Sequence, residues 1–431
     1  MSFNTFQANS LMGEITIPGD KSISHRAVIL SSIAEGKSYI KGFLESDDCL
    51  HTIKIFQALG VEIEKIEPGY YMVEGVGLNG LREASNVLYC GNSGTTARLL
   101  AGLLAAQDFY SVLTGDNFLN VRPMDRIIKP LEKMGARIWS REDKYLPLSI
   151  KGSPLKGIQY ELPVASAQLK SALLLAGLYA QEELKIIEPE LSRDHTERML
   201  QGFGVDLVKE GKEITLSKKG EIKLDAQEIE VPGDLSSAAF FIAAALITPD
   251  SDIVIRNVGI NPTRDGFLRI IQEMGARIEF FNIREKAGEP LADIRVMSSN
   301  LKAVSIEGEL IPLLIDELPL LAVLAARAEG RTIIRDAAEL RVKESDRISA
   351  TVEGLRKLGV RAEEMPDGMV IEGPARLQGG VEIESYYDHR LVMSFIVAGL
   401  ISREPFKIKD VEAVNVSFPD FNKILKKLCY R

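Results

Sequence analysis

Several stretches of this chain gather donor-rich residues where a helix is expected to begin. The first is Lys21-Ser22-Ile23-Ser24-His25-Arg26, preceded by Gly19-Asp20. Lys21 and Arg26 bring charge, while Ser22 and Ser24 can cap or donate. In the second, Gly91-Asn92-Ser93-Gly94-Thr95-Thr96-Ala97-Arg98, small residues let the backbone approach a ligand closely. A helix N-terminus offers unpaired N–H groups and a positive dipole, so either stretch suits a phosphate or carboxylate. Each alone is equally a plain cap. Further cations stand at or just before other helix starts: Arg122 and Arg126 in VRPMDR, Arg193 in LSRDHTER, Lys343 and Arg347 in RVKESDR, and Arg390 in DHR. Taken singly, each reads as an exposed ion-pairing residue of small energetic weight. Recurring at matching positions, the set reads as recognition of more than one anionic group. Two carboxylates lie among these cations. Asp316, opening a buried-type helix in LIDELP, is either an N-cap or a proton-transfer group. Glu344, between Lys343 and Arg347, is either part of a solvated turn or the second such group. Residue types alone leave both alternatives open.

The elements that must hold these residues repeat. FQALGVEI, LEKMGARI, LQGFGVDL, IQEMGARI and LRKLGVRA share a central glycine (Gly60, Gly135, Gly204, Gly275 and Gly359), spaced by 75, 69, 71 and 84 residues. Each reads as an amphipathic helix stopped by a C-cap glycine and followed by a strand. Ahead of them run Ala-rich segments with polar starts, such as DKSISHRAVILSSIAEG, GNSGTTARLLAGLLAAQ, ASAQLKSALLLAGLYAQ and GDLSSAAFFIAAALI. These fit helices buried nearly all round. Between the two helix types lie strand-like runs: YIKGFL, YSVLTG, LKIIEP, DIVIRNV, RTIIRD and FKIKDV. Pro68-Gly69 marks a hairpin turn. A sixth unit stops after FNKILKKL without closing strands, and the N-terminal run LMGEITIPG is expected to supply one. Pro18-Gly19-Asp20 and Pro232-Gly233-Asp234, 214 residues apart, read as crossovers between two lobes of three units. The expected fold is α/β (α+β): two lobes, each a threefold βαβαββ repeat with buried Ala-rich helices. Residues 1–19 and 233–431 form one lobe and 20–232 the other.

Composition narrows the function. The chain has 431 residues, 45% apolar and 26% charged, which suits a multidomain globular protein and argues against disorder, collagen or a coiled coil. Lys plus Arg total 52 against 61 acidic residues, for a net charge of −9. A nucleic-acid clamp or a membrane-surface binder needs a basic field instead. Three cysteines cannot build a disulfide framework, and the four histidines lack zinc-ligand spacing. No secretory leader pattern precedes the first helix, so the cytoplasm is expected. Nucleotide-binding glycine motifs are absent from the helix starts.

PGDKSISHR, GNSGTTARLLAGLL, LTGDNFLNVRPMDR, SAQLKSALLLAGL, RVKESDR, YYDHRLVM and SFPDF run in order from residue 18 to 421. Together they resemble the 5-enolpyruvylshikimate-3-phosphate synthase family, the 3-phosphoshikimate 1-carboxyvinyltransferases of aromatic amino-acid biosynthesis. The resemblance implies the two-lobed fold, with the active site in the cleft between the lobes. It implies shikimate 3-phosphate binding by Lys21, Ser22, Arg26, Ser166, Gln168, Asp316 and Lys343. It implies phosphoenolpyruvate binding by Lys21, Asn92, Gly94, Arg122, Gln168, Arg347 and Arg390. Asp316 would accept a proton and Glu344 donate one, with Lys21 also catalytic. Also implied are the absence of a metal or organic cofactor, a monomer, and inhibition by glyphosate at the phosphoenolpyruvate site. The basic residues of units one, two, five and six, which must approach one another to surround two anions, predict ligand-driven closure about Gly19 and Gly233. Ala167, Glu339 and Val416 depart from residues that some members carry, and the three together resemble a second branch of the family. UDP-N-acetylglucosamine enolpyruvyl transferase is the nearest rival. Its Lys-Asn pair is replaced here by Lys21-Ser22, and no cysteine lies between Cys90 and Cys429. A non-catalytic repeat-built binding ring would favour cations spread along an exposed face, against which Asp316 and Glu344 argue.

Overall fold

A computed structural model describes residues 1–218, 220 and 222–429, apart from the side chains of Asn415 and Val416. The expectation attached to Val416 therefore lies outside the described residues. The chain divides into two compact bodies. The N-terminal lobe comprises Gly19–Pro232 with Glu285–Glu289, and the C-terminal lobe Met1–Pro18, Gly233–Arg284 and Pro290–Arg431.

Each lobe is built from one repeating pattern. A short strand pairs parallel with a central strand, which is flanked on its other side by two more strands in five sheets and by one in the sixth. In the N-terminal lobe Glu35–Lys41, Tyr110–Thr114 and Leu184–Ile187 are the central strands. Their parallel neighbours are Glu228–Glu230, Leu88–Tyr89 and Gln159–Glu161. In the C-terminal lobe the central strands are Asp252–Gly259, Gly330–Ile334 and Lys407–Lys409, with parallel neighbours Met12–Thr16, Ser305–Ile306 and Glu382–Ile383. All six central strands overlap the runs marked in the sequence, although the first begins four residues before its run and ends at Lys41. One expectation is corrected. The LMGEITIPG run does not close the sixth unit: Met12–Thr16 adds parallel to Asp252–Gly259 of the fourth. The sixth sheet takes Ser2–Asn4 instead, antiparallel to Lys407–Lys409. The physical reason is length: the non-strand stretch Thr5–Ser10 separates two strand segments, so one N-terminus serves two sheets.

Two helices accompany each central strand. Those of the first type are Lys21–Ser32, Gly94–Leu104, Ala167–Gly177, Leu235–Ile247, Leu318–Ala325 and His389–Gly399. Five of the six are capped by the side chain of the preceding residue: Asp20, Ser93, Ser166, Asp234 and Asp388. The cap satisfies backbone donors that a buried helix start cannot leave to water. The exception is Leu318–Ala325, where Pro319 in the first turn has no N–H to satisfy. The helix thus begins after Asp316, which sits in the 3₁₀ turn Ile315–Glu317 rather than opening the helix as expected. The second-type helices end as the sequence requires: Gly60, Gly135, Gly204, Gly275 and Gly359 all have φ between +82° and +104°. That left-handed conformation is costly for a residue with a Cβ.

Small residues on the first-type helices permit close approach. A Cβ on Gly102 would lie 2.0 Å from the Ala172 carbonyl oxygen, on backbone that cannot swing aside. Helix Gly94–Leu104 thereby sets the position of Ala167–Gly177, and with it both helix starts. Among the described residues no helix is long and apolar enough to cross a membrane. Gly102→Ala is expected to lower stability by about 1–3 kcal/mol through overpacking. Thermal unfolding followed by circular dichroism should show a midpoint lower by roughly 2–10 °C; an unchanged midpoint would show that the two helices can separate without cost.

Candidate active site

In the N-terminal lobe, Asp20 caps Lys21–Ser32 by accepting from the Ile23 N–H at 2.9 Å. That fixes the first turn carrying Lys21 and Ser22. Lys21 is exposed and ion-paired with Asp48, a partner the sequence did not mark. Arg26, one turn on, is buried. Its Nε donates to Thr196 Oγ1 (2.6 Å), Nη1 to the Ser22 carbonyl (2.9 Å) and Nη2 to Ser171 Oγ (2.8 Å). Burial draws its guanidinium down to about 10, still charged near neutrality. His25, on the same turn, bonds Thr52 Oγ1 at 2.8 Å. Burial, and then the charges of Lys21 and Arg26, lower its pKa to about 3, so it is neutral at physiological pH.

The second helix start assembles around arginines. Gln168 joins it from the third unit: its Oε1 accepts from Arg98 Nη1 (2.5 Å) and its Nε2 donates to Thr95 Oγ1 (3.1 Å). A Cβ on Gly94 would meet Arg98 Nη1 at 3.1 Å and Arg122 Nη1 at 3.8 Å, so the glycine opens space beside two guanidinium groups. Burial, then repulsion from Arg126 and Arg122, lowers Arg98 to about 10. None of these three arginines has a carboxylate within ion-pairing distance among the described residues. Arg98 is half-buried while Arg122 and Arg126 are exposed, and such a cluster of cations can receive an anion. Arg98 and Arg126 belong to this cluster, although the resemblance assigned only Asn92, Gly94 and Arg122 of this region to phosphoenolpyruvate. The spacing of Arg98, one turn after Gly94 on the same helix, was the available signal. Asn92 is exposed just before the cap, and Ser166 caps its own helix through the Leu169 N–H at 3.3 Å, which leaves its hydroxyl hydrogen to donate. Ala167, the first residue of that helix, offers no such donor.

The C-terminal lobe handles charge differently. Arg347, almost fully buried, is held by three carboxylates: Asp388 Oδ2 at 2.7 Å, Glu344 Oε2 at 2.6 Å and Asp316 Oδ1 at 3.4 Å. Arg390 lies 3.6 Å from both Asp316 and Glu317, and donates to the Asp316 carbonyl at 3.3 Å. Burial opposes its charge, but Asp316, Glu317 and Asp234 hold its pKa above the usual value. Asp316, Glu344, Arg347 and Arg390 are thus brought together, and Asp316 is bound to arginines rather than capping a helix. Lys343 stands apart: it pairs with Glu339 at 2.5 Å, so the residue marked as a departure occupies the charge of a proposed substrate contact. Neighbouring His389 is pushed down to about 4 by burial and then by Arg390, and is neutral at pH 7. Among the described residues no cluster of His, Cys, Asp or Glu could hold a metal ion.

The hub that sequence reasoning missed is Asp388. Its carboxylate caps His389–Gly399 through the Arg390 N–H (2.9 Å), accepts from Ser345 Oγ (3.1 Å) and pairs with Arg347. It lies two residues before a marked arginine, at the position Asp20 and Asp234 occupy in other units.

A family model for EPSP synthase, 3-phosphoshikimate 1-carboxyvinyltransferase, matches residues 6–425. The chain belongs to the EPSP synthase family. A 3-phosphoshikimate 1-carboxyvinyltransferase of Pelobacter propionicus is 53% identical over 99% of this chain and 98% of its own. One from Geobacter sulfurreducens is 50% identical over the full length of both. The solved EPSP synthase of Acinetobacter baumannii superposes with a TM-score of 0.94 at 47% identity, covering 99% of this chain and 98% of that one. An enolpyruvyl transferase of Streptomyces tendae, at 17% identity and TM-score 0.78 over 99% and 96% of the chains, shares the fold. The mixed α/β fold read from the repeats is thus that of the EPSP synthases.

The Asp388 pairing has a pH consequence in the C-terminal lobe. Burial alone would raise the Asp388 carboxyl, but the charge and hydrogen bond of Arg347 outweigh it and hold it below the usual range. A depressed carboxylate contributes stability that is complete above the unfolded pKa of about 3.9 and disappears as pH falls through the lower folded value. Asp388→Asn is expected to cost about 3–5 kcal/mol, because it leaves buried Arg347 short of its main partner. Urea unfolding should show that loss undiminished from pH 5 to 8 and shrinking only in stronger acid. A loss that grows on acidification would contradict it.

Proposed function

We propose that this chain transfers the enolpyruvyl group of phosphoenolpyruvate to the 5-hydroxyl of shikimate 3-phosphate and releases inorganic phosphate. Membership of the EPSP synthase family over residues 6–425 supports the reaction. The observation that carries the chemistry is the pairing of Asp316 and Glu344 with Arg347 and Arg390. Carboxylates held on guanidinium groups can move protons beside a bound anion, and the arginines retain donors for that anion. Asp316 takes the proton of the attacking hydroxyl, and Glu344, in its acid form, gives one to C3 as the oxygen bonds to C2. Phosphate then leaves the tetrahedral adduct while the Glu344 carboxylate recovers a proton from C3. The N-terminal set acts in binding: Lys21, Ser22, Arg26, Ser166 and Gln168 take shikimate 3-phosphate. Asn92, Gly94 and Arg122, with Arg98 beside them, take phosphoenolpyruvate. Phosphate release on mixing the two substrates tests the reading directly. Absence of turnover, with UDP-N-acetylglucosamine accepted instead, would overturn it.

Asp316→Asn and Glu344→Gln keep shape and hydrogen bonding while removing the titrating group. Each is expected to lower kcat by about 10²–10⁴-fold, the range for a lost general acid or base, with KM for shikimate 3-phosphate changed far less. At Gly94 the added methyl meets the Arg98 and Arg122 guanidinium groups. We therefore expect Gly94→Ala to raise the inhibition constant for glyphosate, the longer molecule, more than KM for phosphoenolpyruvate. Equal increases would show that the methyl does not discriminate.

A further inference from the structure

Lys170 has no part in the chemistry above, yet it is among the largest fully buried side chains of the protein. Its Nζ lies 2.9 Å from Glu188 Oε2 and 2.6 Å from Glu197 Oε1, and all three side chains are at most 2% exposed. Lys170 thus forms ion pairs with both buried carboxylates, and one of them, Glu197, also acts on the Arg26 charge. The residues beside the ion pair explain the arrangement. Ser171 follows Lys170 and Thr196 precedes Glu197, and their hydroxyls, 2.6 Å apart, are the two that Arg26 uses. Helices Ala167–Gly177 and His195–Gly202 thus meet in two layers: neutral hydroxyls on Arg26, and an ion pair between themselves. Glu197 is the carboxylate that acts most strongly on Arg26, ahead of Asp20 and Glu289, and Arg193 opposes them. Lys209 reaches Glu197 only at 4.0 Å. No carboxylate among the described residues comes within ion-pairing distance of Arg26, so its charge is held by neutral acceptors alone.

We propose that Lys170 is a positioning residue that sets the charge of the shikimate 3-phosphate site. By holding Glu197, it stops that carboxylate from turning onto Arg26 and keeps the Arg26 charge available to an anionic group of the substrate. This inference rests on the functional reading above. It makes the two partners act in opposite directions, which a purely structural ion pair would not do: losing either partner of a structural pair weakens the same site.

The test compares Glu197→Gln, Lys170→Met and the double variant in steady-state kinetics, with thermal unfolding as the folding control. Glu197→Gln is expected to lower KM for shikimate 3-phosphate about threefold, and Lys170→Met to raise it about tenfold, magnitudes typical of altered charge pairing near a bound anion. KM for phosphoenolpyruvate should move far less in both. The double variant should return to within about twofold of the parent, as expected if the two residues act through one another. Increases in both single variants, or equal changes for both substrates, would overturn the proposal. If Lys170→Met does not fold, Glu197→Gln decides alone: an unchanged or raised KM overturns it. Parent protein that releases no phosphate would instead sink the functional reading, and this inference with it.

Discussion

Positive charge placed at a buried helix start must be answered by something, and the repeats answer it in two ways. In the C-terminal lobe Arg347 and Arg390 are met by protein carboxylates, Asp388 with Glu344 and Asp316 on one, Asp316 with Glu317 on the other. In the N-terminal lobe Arg98 is repelled by the exposed Arg126 and Arg122, and Arg26 is held by hydroxyls and a carbonyl. Carboxylate-paired arginines keep acidic groups in place for proton transfer, whereas uncompensated ones favour binding an anion. A single repeating scaffold therefore presents cations in two ways, paired with carboxylates in one lobe and without them in the other.

The scaffold tolerates this because the costs of burying charge are met locally. Asp caps serve backbone donors and side-chain cations together: Asp388 caps its own helix and neutralises Arg347, and Asp234 caps Leu235–Ile247 while approaching Arg264 at 3.4 Å. Small residues let the helices bearing these charges pack at backbone distance. Gly354 shows the same constraint in the C-terminal lobe, where a Cβ would fall 2.1 Å from the Phe395 ring. Overpacking at such contacts would shift the helix starts that carry the charged groups.

Much of the fold was legible because its rules are local. A C-cap glycine needs positive φ, and all five repeat glycines have it; the β-branched central strands likewise declare themselves by composition. Asp316 was misplaced by two residues because Pro319 moves the helix start, a detail of the first turn rather than of periodicity. The N-terminal run was assigned to the wrong sheet because pairing between residues 12–16 and 252–256 is a long-range choice. Arg122 and Arg347 could be marked by type and spacing, and Asp388 by its cap position, but the charges that Asp388, Asp48 and Lys170 face could not. Their importance lies in which charge they face across the fold, and nothing in the sequence near them specifies that partner.

The decisive claim is that Glu344, held on Arg347, moves the proton at C3 of phosphoenolpyruvate. Deuterium uptake at that carbon in heavy water, followed by NMR in the presence of shikimate 3-phosphate, tests it most directly. Deuterium should enter in the parent protein, and Glu344→Gln should suppress that entry under conditions where both ligands still bind. Exchange at the parent rate in Glu344→Gln would contradict the assignment and leave Glu344 only the task of orienting Arg347.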